Sequence, residues 1–101
     1  MKVINTPDLL EWQKQNKQFR IIDVRTEYEY NAGHIEGSEL ISLDVFDRVF
    51  VEKLADKDET IVCVCRSGGR SSMAVDFLNN QGYSNVYNLI GGYTMYRLSA
   101  M

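Results

Sequence analysis

The chain predicts an α/β fold, a parallel sheet covered by helices on both faces. Two observations carry this. Strand-like and helix-like segments alternate strictly along the 101 residues, the pattern of βα units joined by crossover connections. The most strand-like run, Thr60 to Val64, is β-branched and continuous rather than alternating, as a strand buried on both faces should be.

Each element has its own signal. Lys2 to Asn5 is a short strand. Thr6 and Pro7 then open a helix, with Thr6 as N-cap and Pro7 in the first helical position, and Leu9, Leu10 and Trp12 form its apolar stripe. Phe19 to Val24 is a buried strand. Thr26 and Glu29 have capping-box spacing for a short helix that stops at Gly33. Glu39 to Leu43 is the third strand. Asp44 caps a helix carrying Val45, Phe46, Val49, Phe50 and Leu54 on one side, expected in the core. After the strand Thr60 to Val64 comes a helix from Ser71 to Gln81, with Ala74, Val75, Phe77 and Leu78 apolar and Gly82 just beyond its end. Asn85 to Leu89 is the fifth strand. Gly91 and Gly92 lead into a last helix bearing Tyr93, Tyr96 and Leu98; Tyr93, Met95 and Tyr96 either wall a pocket or pack that helix. With no linker, repeat or low-complexity segment, residues 1–101 are read as one domain.

Composition narrows the function. Apolar residues at 45% and charged residues at 25% are ordinary for a globular chain, with room for one small core. A net charge of −3 argues against general nucleic-acid binding. No run approaches the roughly 20 apolar residues of a membrane span, and the first residues carry no secretory pattern. Two cysteines, Cys63 and Cys65, make no disulfide framework. Two residues apart on one strand, they are also badly placed to bridge each other. A reduced, cytoplasmic setting follows. Two cysteines and one histidine are too few for a metal site, and no cofactor is expected.

The chemistry concentrates in Val62 to Ser72, VCVCRSGGRSS. A buried strand ends in Cys65; Arg66, Ser67, Gly68, Gly69 and Arg70 follow; then a helix begins near Ser71. Sites of parallel sheets lie at the carboxyl ends of strands, where Cys65 sits, as do Asp23, Val24 and Arg25. Successive loop amides can turn inward as an anion-binding nest. Gly68 and Gly69 permit the positive φ angles that such a nest needs. The helix adds its positive end, and two arginines lie close. Each of these favours thiolate over thiol, and thiolate is the nucleophile. Cys63, inside the strand, is read as core. Arg66 is expected over the pocket as a ligand for an anionic donor. Arg70 either shares that task or turns inward to brace the loop against Ser71 or a carboxylate. Asp23 and Arg25 are read as supporting residues, Asp23 holding the loop and Arg25 reaching Glu29 or Glu36. His34 is read as structural, bonding a backbone carbonyl.

Four blocks in order make the chain resemble the single-domain rhodaneses of the sulfurtransferase superfamily. They are Asp23-Val24-Arg25 with Glu27, Tyr28 and Glu29; Gly33-His34-Ile35-Glu36-Gly37-Ser38; Cys65 to Ser71; and Val86-Tyr87-Asn88-Leu89 with Gly91-Gly92. Ser38, Ser42 and Tyr96 depart from common family residues. The resemblance implies a rhodanese-like three-layer fold with an open five-stranded parallel sheet. It also implies ping-pong transfer of sulfane sulfur from thiosulfate through a Cys65 persulfide. Partners are then a small sulfur donor and a thiol or cyanide acceptor, or thioredoxin or another sulfur-relay protein. A persulfide carrier or binding module serving one partner is the alternative. Phosphatase-type chemistry is disfavoured, because the spacing from Cys65 to Arg70 is C-x4-R, one residue short of the phosphatase C-x5-R.

Overall fold

A computed structural model of the chain describes residues 1–100. In order, the elements are β1 (Lys2–Ile4), α1 (Thr6–Lys14), β2 (Arg20–Asp23), α2 (Glu27–Ala32), β3 (Glu39–Leu40), one 3-10 turn (Leu43–Val45), α3 (Phe46–Lys53), β4 (Ile61–Val64), α4 (Gly69–Asn80), β5 (Val86–Leu89) and α5 (Gly92–Ser99). The five strands form one parallel sheet in the order β1-β5-β4-β2-β3. The step from β1 to β2 crosses the sheet one way; the steps from β3 through β4 to β5 cross it the other way. Right-handed crossovers therefore put α1 on one face and α3 and α4 on the opposite face.

The two cores follow from this arrangement. Along β4, successive side chains point to opposite faces. Ile61, Cys63 and, just beyond the strand, Cys65 join Phe46, Phe50, Leu54, Ala74, Val75 and Leu78 under α3 and α4. Val62 and Val64 join Ile4, Leu9, Ile21, Ile35 and Leu89 on the other face, with Trp12, Tyr93 and Tyr96 packed against them from α1 and α5. Phe77 meets Phe46 and Phe50 edge-on at ring separations of 6.0 and 4.9 Å, a favoured aromatic arrangement. Helix α2 belongs to neither core and buries no residue.

Local chemistry corrects several expected boundaries. The N-cap of α1 is Asn5, whose side chain accepts from the Asp8 amide at 2.8 Å. Thr6 lies inside the helix instead, buried, with its hydroxyl oxygen unpartnered among the described residues. The third strand pairs only Glu39 and Leu40 with Ile22 and Asp23; the Ile41 and Leu43 amides then bond the Asp23 and Val24 carbonyls. Asp44 does not cap α3. It falls within the 3-10 turn, and the cap position passes to Val45, which makes no side-chain bond. Helix α4 begins two residues early, at Gly69, because the Ser72 amide closes the first turn on the Gly68 carbonyl at 3.1 Å. The capping box of Thr26 and Glu29 forms as expected. Gly82 follows α4 at φ +95°, a conformation glycine adopts without steric cost.

Candidate active site

The loop between β4 and α4 wraps the Cys65 sulfur. Gly68, at φ +120°, turns its amide inward to donate to Cys65 Sγ at 3.0 Å. The Ser71 hydroxyl, in the first turn of α4, lies 3.3 Å from the same sulfur. Burial pushes the Cys65 thiol up, but the opposing contacts prevail and hold it below its ordinary value: the Ser71 hydroxyl together with the amides of Ser71, Gly68 and Ser67. Hydrogen bonds to an anion favour the charged form. Cys63, two residues earlier on the same face and fully buried, goes the other way, pushed up to about 12 by burial and then by the Cys65 charge. The thiol inside β4 and the one just beyond its end are thus shifted in opposite directions.

The loop is braced from α5. The Tyr93 amide donates to the Cys65 carbonyl at 2.8 Å and the Thr94 amide to the Arg66 carbonyl at 3.2 Å. This contact needs Gly92. A Cβ there would lie 2.4 Å from the Cys65 carbonyl oxygen and 2.6 Å from Arg66 backbone atoms, and Gly92 sits at φ +57°.

The two loop arginines separate. Arg70 makes a two-armed pair with Glu29 of α2, at 2.7 and 2.9 Å. The Arg70 guanidinium in turn holds the Glu29 carboxyl down at about 2. Of the partners considered for Arg70, a carboxylate is the one it takes. Arg66 stays exposed and, with Arg97 of α5, lines a cavity of about 330 Å³ that Tyr28, Gly33 and Tyr93 also border. Tyr93 is therefore both wall and packing residue, whereas Tyr96 only packs and Met95 is half exposed. Arg97 carries no local motif, and only the docking of α5 brings it to the site.

Asp23, the last residue of β2, and Arg25 just beyond it are buried together. Arg25 donates from Nε and Nη2 to both Asp23 oxygens at 2.7–3.0 Å, and from Nη2 to the Gly33 carbonyl at 2.7 Å. Tyr93 lies against the guanidinium, 4.6 Å from the ring centre. The partner expected for Arg25 was Glu29 or Glu36. The structure gives Asp23 instead, because the carboxylate two residues away already meets both donors and Arg70 occupies Glu29. Asp23 thus grips Arg25: its carboxylate accepts from that residue's amide and guanidinium rather than from the cysteine loop. His34 stacks on Tyr30 at 3.7 Å, with Nδ1 2.7 Å from the Tyr30 carbonyl oxygen, as a structural histidine would.

Two contributors were not read as site residues from the sequence. Glu29 was legible as half of a capping box and as an expected partner of Arg25, not of Arg70. Asn88, buried on β5 opposite Cys63 in register, reaches both Ser71 and the Gly68 carbonyl. Among the described residues no cluster of three or more metal-ligating side chains occurs, and no helix is long and apolar enough to cross a membrane.

Comparison with known proteins agrees with this geometry. The family described as "Rhodanese-like domain" matches residues 6–98. Thiosulfate sulfurtransferase GlpE of Pseudoalteromonas translucida is 39% identical over 74 residues, covering 73% of this chain and 69% of that protein. The solved rhodanese-like domain protein from Staphylococcus aureus superposes with a TM-score of 0.86 at 31% identity, over 95% of this chain and 91% of that one. A tRNA uridine(34) hydroxylase of Erwinia tasmaniensis is 38% identical over 79 residues, 74% of this chain but only 23% of that protein.

Proposed function

This chain belongs to the rhodanese-like domain family, and on that premise we propose that it is a sulfurtransferase that uses Cys65 as its nucleophile and thiosulfate, or a related sulfane donor, as substrate. The observation that carries the reading is the sulfur's set of donors, the Gly68 amide at 3.0 Å and the Ser71 hydroxyl at 3.3 Å, with the thiol held below its ordinary value. An anionic sulfur needs no neighbouring base.

The mechanism follows from these groups. The Cys65 thiolate attacks the outer sulfur of thiosulfate. A bond forms between Sγ and that sulfur while the sulfur–sulfur bond of the donor breaks, its electron pair leaving on sulfite. The product is Cys65–S–S⁻. Sulfite is a stable anion, so no general acid is required. The loop amides that stabilised the thiolate remain close to the persulfide charge. A thiolate or cyanide acceptor then attacks the outer sulfur and regenerates the Cys65 thiolate, giving ping-pong turnover. Cys65 is only 1% exposed, which favours donors that present a single slim sulfur atom. Arg66 is assigned to the sulfonate end of the donor: it follows Cys65 directly, is exposed beside Arg97, and carries a planar fork that suits an oxyanion. Arg70, engaged with Glu29, braces the loop.

Thiosulfate adds one sulfur, about 32 Da, to the protein in non-reducing intact-mass spectra if covalent transfer operates. The adduct is expected in the parent chain and in Cys63→Ala, and not in Cys65→Ala. Its absence from the parent overturns the reading. A second reading is a persulfide carrier serving one partner, favoured by the occurrence of a similar segment as 23% of a larger protein. Slow turnover with cyanide and fast transfer to a partner thiol would support the carrier.

A further inference from the structure

The Ser71 hydroxyl has one proton and faces three acceptors. Its oxygen lies 3.3 Å from Cys65 Sγ, 3.2 Å from the Gly68 carbonyl oxygen and 2.5 Å from Asn88 Oδ1. The Gly68 carbonyl is already occupied, accepting from the Ser72 amide at 3.1 Å and from Asn88 Nδ2 at 3.2 Å. That last contact fixes which way the Asn88 amide points. A carbonyl only accepts, so the amide group facing Gly68 is the NH2, and the oxygen must face Ser71. Asn88 is 8% exposed and Ser71 is fully buried.

We propose that Asn88 is a positioning residue that competes with Cys65 Sγ for the Ser71 proton, giving the hydroxyl two settings during sulfur transfer. In one setting the charge is on Sγ and the O–H donates to it. In the other, Sγ carries a second sulfur and the charge sits one S–S bond farther out, about 2 Å away. The O–H then swings to Asn88 Oδ1. The swing is a rotation about Cβ–Oγ that makes and breaks no covalent bond. Without Asn88 the hydroxyl would keep only the neutral sulfur, a poor acceptor, and the Gly68 carbonyl at 3.2 Å, which already accepts from the Ser72 amide. The amide therefore weakens support for the thiolate and relieves the persulfide state.

The inference rests on Cys65 as the sulfur-carrying residue, but its test reads the hydrogen bond directly and does not need sulfur to move. The charged and titratable groups around Cys65 are Cys63 in β4, Arg66 in the loop and Arg70 in α4, Asp23 at the end of β2 with Arg25 just after it, Glu29 in α2, and Arg97 in α5. All are kept in every variant. The Gly68 peptide also keeps its bond from the Ser72 amide when Asn88 is changed.

The experiment follows the rate of Cys65 alkylation by iodoacetamide against pH, read by intact mass. In Asn88→Ala and Asn88→Leu the midpoint is expected to fall by about half a unit, roughly threefold more thiolate at a pH below it. In a Ser71→Ala background the same replacements are expected to move nothing. An upward shift, no shift, or an equal shift with and without Ser71 overturns the proposal. Alanine leaves a gap and leucine fills it, so either folded variant decides. Asn88→Asp, of the same shape, should raise the midpoint by more when Ser71 is present than when it is absent, and equal rises would also overturn the proposal. If the midpoints move as stated and thiosulfate leaves no adduct on Cys65, the sulfurtransferase reading fails while the hydrogen-bond assignment stands.

Discussion

Replacing Asp23 by asparagine tests whether the buried pair at the end of β2 holds this end of the sheet together. The side chains of Asp23 and Arg25 are 1% and 5% exposed. Asparagine keeps the shape but removes the charge, leaving the Arg25 cation with the Gly33 carbonyl and the face of Tyr93. Breaking one partner out of a buried pair costs about 3–5 kcal/mol, because the survivor's charge is uncompensated. A chain of this size has about 5–15 kcal/mol in total. Each kcal/mol lowers the melting midpoint by about 4–8 °C, so a loss of at least about 12 °C is expected. The comparison is Glu29→Gln, which breaks a pair whose side chains are 27% and 36% exposed and should cost about 0–1 kcal/mol. Urea unfolding at neutral pH, followed by circular dichroism, gives both values, and an unchanged m-value shows that stability alone has moved. If Asp23→Asn lost no more than Glu29→Gln, the account of Arg25 as a buried cation dependent on Asp23 would be refuted.

Glu29 also predicts a pH effect. Its carboxyl, held at about 2 by the hydrogen bonds from Arg70 instead of the ordinary 4.5, contributes stability that is present above about pH 4.5 and lost as pH falls toward 2. Glu29→Gln should flatten the fall in urea midpoint across that window, and an unchanged acid slope would count against the pair. Gly92→Ala drives a methyl into the Cys65 and Arg66 backbone; it should lower the melting midpoint and abolish the sulfur adduct, whereas Gly69→Ala, with nothing within 4 Å of its Cβ, should do neither. In steady-state thiosulfate kinetics, Arg66→Ala should raise KM about tenfold with little change in kcat, the loss of a charged hydrogen bond; a KM effect from Arg70→Ala alone would transfer the donor-binding role to Arg70.

What the sequence revealed was local. The run from Thr60 to Ser72 holds a buried strand, a glycine turn and a helix start within 13 residues, so the position of Cys65 at a strand end was readable. The capping box was readable for the same reason, being a four-residue device. Where two neighbours can do one job, the pattern pointed to the wrong one. Thr6 was expected to cap α1, but Asn5 holds that place and Thr6 is buried inside the helix. Asp44 has cap chemistry, but the 3-10 turn consumed its position. The second layer of the site was not readable, because its members are brought together only by folding. Arg70 meets Glu29 across 41 residues and Ser71 meets Asn88 across 17. The likeness to rhodaneses supplied the five-stranded sheet and the chemistry, but not these pairings.

Helix α2 buries no side chain. Its ties to the body are polar: Glu29 to Arg70, the Tyr30 hydroxyl to the Ser38 carbonyl at 2.6 Å, and Arg25 to the Gly33 carbonyl. An element attached in this way opens at a fraction of the free energy needed to unfold the molecule. Its amides should take up deuterium well before those of β4, whose four residues are buried in the middle of the sheet. The helix can therefore open and close on a fast timescale while the strand at the middle of the sheet stays closed.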